Sequence, residues 1–232
     1  MVKALVFIHG WASNPGIWQK QKEYFSKDYE VALPDISGAK DIGEAAHILS
    51  NSVKGKEDFV FIGWSLGWLV ALELLKSSKI NPKGLVAVNS TAKYAADGYL
   101  PVGPTATHLA KMIRDCKRNP RQTFESFYKS MLSDIGRDAF SNVKIKNIDY
   151  NKLYYGLYIL SGCDYRDFLK AICIPALIIA GDRDAVCPKE ASVYMHKMIE
   201  GSRLKILDSG HMPFVEKEND FNLSVEDFIQ GL

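Results

Sequence analysis

Six short apolar runs recur along the chain, and stretches with helical spacing of apolar residues separate them. Most of the runs are nearly continuously apolar rather than alternating, which is typical of parallel strands buried on both faces. The runs are Leu5–His9, Tyr29–Leu33, Phe59–Gly63, Leu85–Asn89, Ala176–Ala180 and Arg203–Leu207. The helical stretches are Ile17–Phe25, Asp41–Val53, Leu66–Ser78, Lys189–Ile199 and a region near Ser224–Ile229. This alternation predicts an α/β fold with a doubly wound, mainly parallel sheet of about six strands, whose ligands bind at the carboxyl ends of the strands.

The segment from about residue 90 to residue 167 shows helical patterns and loops but no convincing strand. Two sets of apolar residues recur there at helical spacing: Leu109, Met112, Ile113 and Cys116, then Phe124, Phe127, Tyr128, Met131 and Leu132. Between the sets, Asn119-Pro120-Arg121-Gln122 combines an N-cap, a proline at the first helical position and a capping-box glutamine. We expect a helical lid, inserted after the fourth strand of a single domain that spans residues 1–232.

The stretch Gly63-Trp64-Ser65-Leu66-Gly67 joins the third apolar run to an apolar helical segment. A serine between glycines at a strand-to-helix turn is typical of a nucleophile elbow, which lifts the hydroxyl clear of the sheet. The turn also brings the next backbone N–H, that of Leu66, to a position where it can stabilise an oxyanion. A purely structural β–α turn has the same pattern, so a base, an acid and a second oxyanion donor are needed to decide.

Candidates for the base and the acid follow the last two predicted strands. His211, within Ser209-Gly210-His211-Met212-Pro213-Phe214, is the candidate base. The other histidines compete poorly, because His47 and His196 lie in helical patterns, His108 in the lid and His9 in a His-Gly turn. Asp184, in a loop of the form G-x-x-D-x-x-x-P, is the candidate for the carboxylate that orients the imidazole, and Asp182 is the alternative.

A second oxyanion donor is expected from the loop after the first strand. His9-Gly10-Trp11 has the form H-G-x, and the backbone N–H of Trp11 would point towards Ser65 from the side opposite Leu66. A structural His-Gly turn is the alternative, and the serine, aspartate and histidine found in a consistent order argue against it. The sequence therefore predicts a complete hydrolytic site.

Composition narrows the classes of function. The charges are nearly balanced, with 29 Lys and Arg against 27 Asp and Glu, which argues against a nucleic-acid-binding tail. The first apolar run is too short to cross a membrane and no small-residue cleavage site follows it, so we expect a cytoplasmic protein. The four cysteines, Cys116, Cys163, Cys173 and Cys187, lack C-x-x-C spacing. That scatter favours a reduced compartment, and no metal or other cofactor is expected.

Together these features resemble the α/β-hydrolase superfamily, in which the three residues follow the order of Ser65, Asp184 and His211. More narrowly, the chain is similar to the pimeloyl-acyl-carrier-protein methyl ester esterases of biotin synthesis. The matching stretches are His9-Gly10-Trp11 with Trp18, residues 63–67 with Leu69-Val70-Ala71, and Gly156-Leu157-Tyr158-Ile159-Leu160 leading through Asp164 and Arg166 to Leu169, Ile174, Pro175 and the Asp184 loop. The tryptophan before the serine and the G-L-x-I-L stretch are more specific to this group than the three catalytic candidates.

The resemblance implies a serine carboxylic-ester hydrolase that removes a methyl group from an acyl chain held on a carrier protein. It also implies substrate contacts at Trp11, Ser65, Leu66 and an aromatic lid segment that contains Phe127, Tyr128 and Met131. Two features depart from the family. Trp68 stands where the family usually has glycine, and the chain starts almost directly at the first sheet strand, without a leading β-hairpin. Both bear on the substrate rather than on the chemistry.

The lid carries an excess of basic residues. The bases between residues 111 and 129 are Lys111, Arg114, Lys117, Arg118, Arg121 and Lys129, against the acids Asp115 and Glu125. Such a surface would suit an acidic acyl carrier protein and its phosphopantetheine phosphate. A solvated helix face of ordinary charge explains the same residues equally well.

Three other functions stay open on the sequence. The protein could be a general short- or medium-chain carboxylesterase, a hydrolase-fold lyase of menaquinone synthesis, or a non-enzymatic hydrolase-fold binding protein. The lyase would need arginines in its pocket to hold the substrate's carboxylates, and no such set can be assigned. A binding protein would not need the histidine and the aspartate.

Overall fold

The computed structural model describes residues 1–97, 103–131 and 148–232. Within these residues the strands are β1 (Ala4–Ile8), β2 (Glu30–Ala32), β3 (Phe59–Trp64), β4 (Gly84–Val88), β5 (Ala176–Gly181) and β6 (Arg203–Leu207). They form one sheet in the order β2-β1-β3-β4-β5-β6, and every neighbouring pair is parallel. The predicted α/β fold is confirmed, and each predicted strand end differs from the observed one by at most one residue.

Helices follow the strands and cover both faces of the sheet. They are α1 (Gln19–Phe25), α2 (Ile42–Ser52), α3 (Leu66–Ser77), α4 (Ala106–Arg118), α5 (Pro120–Met131), α6 (Leu153–Gly162), α7 (Arg166–Leu169), α8 (Lys189–Met198), α9 (Pro213–Glu216) and α10 (Glu218–Gln230). Two short 3₁₀ turns, Pro15–Trp18 and Tyr150–Lys152, precede α1 and α6. The last helix begins before the predicted region near Ser224, because Phe221 is buried on the same face as Val225 and Phe228.

The burial of each strand explains the apolar runs in the sequence. Every residue of β1, β3, β4 and β5 is buried, so these inner strands need apolar side chains on both faces. The edge strands β2 and β6 are partly exposed and accordingly carry charged residues.

The order of the strands predicts where a ligand can bind. The chain passes from β1 to β2 on one side of the sheet and then returns to add β3 on the other side of β1. The connections at the carboxyl ends of β1 and β3 therefore diverge, and a crevice opens between them. His9-Gly10-Trp11 follows β1 and Ser65 follows β3, so both lie at this point.

The two glycines of the elbow are required by close approaches of the backbone. A Cβ at Gly67 would lie 2.4 Å from the Ile8 carbonyl oxygen, and a Cβ at Gly63 would lie 2.7 Å from the backbone of Trp68. Helix α3 thus starts in direct contact with the end of β1. Trp68 is completely buried within this packing.

The described part of the segment predicted as a lid contains the helices α4, α5 and α6, and also stretches without helix such as residues 90–97. Helix α4 packs against both α5 and α6, and the predicted proline start of α5 is observed at Pro120. Among the described residues from 90 to 167 the strand-like pairing is one isolated bridge, between Ala96 and Thr105. Residues 98–102 and 132–147, including Leu132 of the predicted apolar pattern, lie outside the described residues. The lid itself, at about 90–167, stays a prediction.

An aromatic cluster supports the loop that follows β6. The ring of Phe214 lies 4.1 Å from that of Trp18, 5.1 Å from that of Trp64 and 5.9 Å from that of Phe221. Contacts of this kind stabilise a core beyond the area that they bury. They anchor α9, which begins two residues after His211.

We predict that Gly67→Ala destabilises the fold by about 2 kcal/mol or more, because its Cβ would meet the carbonyl oxygens of Ile8 and His9 and neither backbone can yield easily. Gly162→Ala is the matched control, because nothing lies within 4 Å of a Cβ at that helical position. Urea unfolding at equilibrium measures both. Equal stability of the two variants would contradict the close packing of α3 on β1.

Candidate active site

Ser65 occupies the sharp turn between β3 and α3. Its φ of 53° and ψ of −118° lie outside the regions that non-glycine residues normally occupy, and such strain persists where the surrounding structure enforces it. Here the Ser65 N–H donates to the Val88 carbonyl at 3.0 Å, and the Ser65 carbonyl accepts from the hydroxyl of Ser90 at 2.7 Å. The residue is 8% exposed. The turn predicted from the sequence is therefore observed.

His211 and Asp184 form a buried hydrogen-bonded pair. The Nδ1 atom of His211 lies 2.7 Å from Oδ2 of Asp184, and both side chains are completely buried. The other ring nitrogen, Nε2, is also buried and has no hydrogen-bond partner among the residues that the structure describes. Trp64, the residue before Ser65, donates its indole N–H to the His211 carbonyl at 2.9 Å. The pair is therefore tied directly to the serine turn.

The carboxylate of Asp184 is held by backbone and side-chain donors. Its Oδ1 accepts from the N–H groups of Val186 and Cys187 at 2.8 and 2.9 Å, and its Oδ2 accepts from the Asn89 amide at 2.6 Å. Burying a carboxylate is costly unless donors of this kind replace water. Burial raises the pKa of the neighbouring Cys187 thiol and the charge on Asp184 raises it further, so this thiol stays protonated.

Asp182 does not approach the histidine pair. Its side chain is 38% exposed and faces Arg183 at 3.9 Å, while its backbone N–H donates to the Leu207 carbonyl. Of the two aspartates that the sequence offered, the structure brings Asp184 to His211.

Asn89 is part of this arrangement, although the sequence pattern did not single it out. It is buried at the end of β4, with a left-handed φ of 42°. Its Nδ2 donates to Asp184 and to the Gly210 carbonyl at 2.9 Å, and its Oδ1 accepts from the Gly181 N–H at 3.1 Å. The available signal was a polar residue directly after an apolar run, at the edge of the sheet where the other candidates lie. One side chain thus links the ends of three adjacent strands.

The H-G-W loop, residues 9–11, lies against the serine turn. His9 Nδ1 lies 2.9 Å from the Gly10 carbonyl oxygen and donates to it, because a carbonyl oxygen can only accept. Nε2 of the same ring lies 3.1 Å from the Ile36 N–H and 3.4 Å from the Asp35 carboxylate. In a trans peptide the following N–H, that of Trp11, points the opposite way, away from His9. A Cβ at Gly10 would be 3.2 Å from Cβ of Ser65, so the Gly10–Trp11 peptide runs beside the serine.

The side chain of Trp11 packs on the helices of the segment 90–167. Its indole N–H donates to the Leu153 carbonyl at 2.7 Å, and its ring lies 4.5 Å from the ring of Phe127. Gly156 allows α6 to come this close, because a Cβ there would lie 2.3 Å from the Trp11 ring. The loop after β1 is therefore clamped between α5 and α6.

Two cavities lie beside these residues. A narrow one of about 30 Å³, room for one or two water molecules, is lined by Gly10, Trp11, Leu66, Leu153 and Ile159. A wider groove of about 410 Å³ is lined by Tyr94, Met112, Phe127, Ser130 and Val186. Of the three lid residues singled out from the sequence, Phe127 lines the wider groove, while Tyr128 and Met131 are buried in the surrounding packing.

Comparison with known proteins is consistent with this geometry. Residues 5–222 match the family described as "Alpha/beta hydrolase family". The chain belongs to this family. Among solved structures, an esterase from Exiguobacterium antarcticum covers 98% of this chain, with 92% of its own chain covered, at a TM-score of 0.87 and 22% identity. A bromoperoxidase from Bacillus anthracis covers 99%, with 92% of its own chain covered, at a TM-score of 0.88 and 19% identity. At these identities the likeness shows the fold.

Curated sequences are similar over nearly the whole length. Two of them are called pimeloyl-[acyl-carrier protein] methyl ester esterase, as the resemblance seen in the sequence predicted. One, from Aromatoleum aromaticum, is 28% identical over 98% of this chain and 98% of its own. Another, from Neisseria meningitidis, is 26% identical over 100% of this chain and 78% of its own.

No helix in the described ranges is both long and apolar enough to cross a membrane. Among those same residues, no group of three or more His, Cys, Asp or Glu side chains converges in a way that could hold a metal ion.

We predict that Asn89→Ala lowers the free energy of unfolding by about 3 kcal/mol, because the buried Gly181 N–H and Gly210 carbonyl each lose a partner. Asn51→Ala is the control, since Asn51 is exposed on α2 and its amide bonds the ring of His47. It should change the stability by less than about 0.5 kcal/mol. Equal urea midpoints for Asn89→Ala and the unchanged protein would contradict the linking role.

Proposed function

We propose that the protein is a serine carboxylic-ester hydrolase in which Ser65 attacks the ester carbonyl. His211 would take the serine proton and return it to the leaving alcohol, while Asp184 holds the imidazole in the correct tautomer. The observation that carries the proposal is the buried His211–Asp184 pair. With Nδ1 bonded to the carboxylate, the buried Nε2 is left as the basic atom. The His211 ring lies 5.4 Å from the ring of Trp64, the residue before Ser65 in the strained turn.

The oxyanion of the tetrahedral intermediate would be stabilised by two backbone N–H groups. Leu66 supplies the first, because it begins α3 directly after Ser65, where N–H groups of the first turn have no partner within the helix. Trp11 supplies the second, from the peptide that the His9 ring orients. Donors fixed before the reaction need no reorganisation as charge develops.

The substrate that we favour is the methyl ester of a medium acyl chain carried on an acyl carrier protein, as in the pimeloyl step of biotin synthesis. The names of similar curated proteins support this choice. Trp11, Ser65 and Leu66 would contact the reacting ester. Phe127, Tyr128 and Met131 would be contributed by the lid segment, with Phe127 the one that lines the wider groove.

The other functions are less well supported by the described residues. No arginine lines either of the two cavities there, whereas the lyase would need arginines to hold carboxylates. A binding protein has no use for a buried histidine–aspartate pair, whose polar atoms are costly to bury. A general carboxylesterase would use the same chemistry. The two functions differ in whether the enzyme prefers an ester that is bound to the carrier protein.

The basic face of α4 and α5 supports docking of an acidic carrier. Several of its bases are already occupied: Lys111 and Arg121 pair with acids one turn along, and Lys117 donates to the Tyr158 hydroxyl at 2.9 Å. Arg114 and Arg118 are exposed and make no ion pair with the residues that the structure describes. They are the charges most available to a partner.

For the catalytic residues, we predict that Ser65→Ala reduces hydrolysis of p-nitrophenyl esters by at least about 10⁴-fold, and that Asp184→Asn does so by about the same factor. Asp182→Asn is the control, because this side chain is 38% exposed and faces Arg183, whereas the hydrogen bond to His211 comes from Asp184; it should keep activity within about threefold. Circular dichroism verifies that each variant folds. A larger loss for Asp182→Asn than for Asp184→Asn would transfer the role to Asp182.

For the carrier, we predict that kcat/KM is higher for the carrier-bound methyl ester than for the free methyl ester. The difference should shrink as salt rises, because exposed charges are screened over about 8 Å at physiological ionic strength. Arg114→Glu with Arg118→Glu should lower kcat/KM roughly tenfold for the carrier-bound ester and leave p-nitrophenyl acetate unaffected.

The matched control reverses two exposed bases elsewhere, Lys22→Glu with Lys27→Glu. These lie on and just after α1, whose Tyr24 hydrogen bonds to Glu226 on α10. The control has the same change in net charge and should leave both substrates unaffected. Equal rates on carrier-bound and free esters at every salt concentration would leave a general carboxylesterase.

A further inference from the structure

The last described turn of α5 contacts both loops of the candidate site. The Tyr128 hydroxyl donates to the Ala12 carbonyl, next to the H-G-W loop, at 2.8 Å. Three residues later, the Met131 carbonyl accepts the backbone N–H of His211, also at 2.8 Å. The C-terminal turn of α5 therefore meets the loop that carries the proposed oxyanion donor and the loop that carries the proposed base.

Ala12 is in a conformation that needs external support. Its φ is 57°, in the left-handed region, where a residue with a Cβ is disfavoured by roughly 1–2 kcal/mol. The residue is 4% exposed, so its carbonyl relies on the protein for a hydrogen-bond partner. The Tyr128 hydroxyl supplies that partner and thereby stabilises the strained loop.

The Tyr128 hydroxyl is well placed to be a permanent donor. The residue is 6% exposed. Burial raises the pKa of its phenol, while the Ser13 hydroxyl lowers it by less, so the proton stays on the oxygen. The Tyr128 ring also packs 4.3 Å from that of Phe124, which fixes the direction of the hydroxyl.

We propose that Tyr128 is a positioning residue for catalysis: its hydroxyl holds the loop after β1 so that the Trp11 N–H is aligned as an oxyanion donor. The inference rests on the proposed function and assigns Tyr128 a role different from substrate contact. It also means that α5 completes the catalytic site. When α5 is displaced, the support of Ala12 is lost along with the Phe127 contact of Trp11.

The test compares Tyr128→Phe with Tyr165→Phe. Each variant removes one hydroxyl from a buried tyrosine and keeps the ring. Tyr165 donates to Glu73 at 2.8 Å, which is outside the candidate site. The two losses of stability should therefore be similar, about 1 kcal/mol each, and a difference in catalysis must have another cause.

Two measurements detect positioning itself. The first is hydrogen exchange of the amides in residues 9–14, which should become faster in Tyr128→Phe and stay unchanged in Tyr165→Phe. The second is a kinetic comparison, in which kcat and KM are measured separately on p-nitrophenyl butyrate. Alongside it, the affinity is measured for a trifluoromethyl ketone, an inhibitor that forms a tetrahedral adduct on the serine. In Tyr128→Phe, kcat should fall and the inhibitor should weaken by about the same factor, roughly tenfold, with KM changed less than about twofold.

The outcomes separate this inference from the proposed function. Unchanged exchange at residues 9–14, or unchanged kcat and inhibitor affinity in an active Tyr128→Phe, would overturn it. A rise in KM with kcat unchanged would also overturn it, since that pattern indicates a substrate contact. Faster exchange in a protein whose unchanged form hydrolyses no ester would refute the proposed function and support the contact between Tyr128 and the loop.

Discussion

A fully buried carboxylate is the constraint on which the site depends. Asp184 has no exposed surface in its side chain, so its charge must be compensated by donors from the protein. Those donors come from the ends of neighbouring strands: Asn89 after β4, the Val186 and Cys187 amides after β5, and His211 after β6. The parallel order β4-β5-β6 places all three at one edge of the sheet. The order of the strands therefore brings the donors together, and the donors in turn allow the carboxylate to be buried.

The serine turn depends on a second constraint, the close packing of α3 against β1. Glycines at 63 and 67 let the helix begin in contact with the Ile8 and His9 carbonyls. This contact brings the loop after β1 beside Ser65, where the two proposed oxyanion donors can face one reacting oxygen. The packing of α3 on β1 therefore places both the strained turn and the loop beside it.

Local sequence patterns could predict the residues that directly follow a recognisable strand or precede a recognisable helix. The sheet, the serine turn and the His211 loop follow from apolar runs and from short motifs at their ends. The two aspartates of the β5 loop differ by two positions, and the G-x-x-D form singled out the one that the structure brings to His211. What each candidate does in catalysis stays a prediction.

The contacts that the sequence did not indicate are long-range and involve single atoms. Asn89 bonds Asp184, 95 positions along the chain, and Tyr128 bonds Ala12 over 116 positions. The spacing of apolar residues in the sequence does not indicate such contacts, because each contact depends on how two separate elements pack together. The early start of α10 was missed for a related reason: polar residues surround Phe221, and its burial comes from tertiary contacts with Trp18 and Phe214.

The most direct test of the account is to map the site of covalent labelling by a fluorophosphonate with peptide mass spectrometry. If the buried His211–Asp184 pair activates Ser65, the phosphonyl group should be found on Ser65 in the unchanged protein, and His211→Ala should lose that label while remaining folded. Retained ester hydrolysis with Ser65 unmodified, or labelling of His211→Ala at the unchanged rate, would contradict the account.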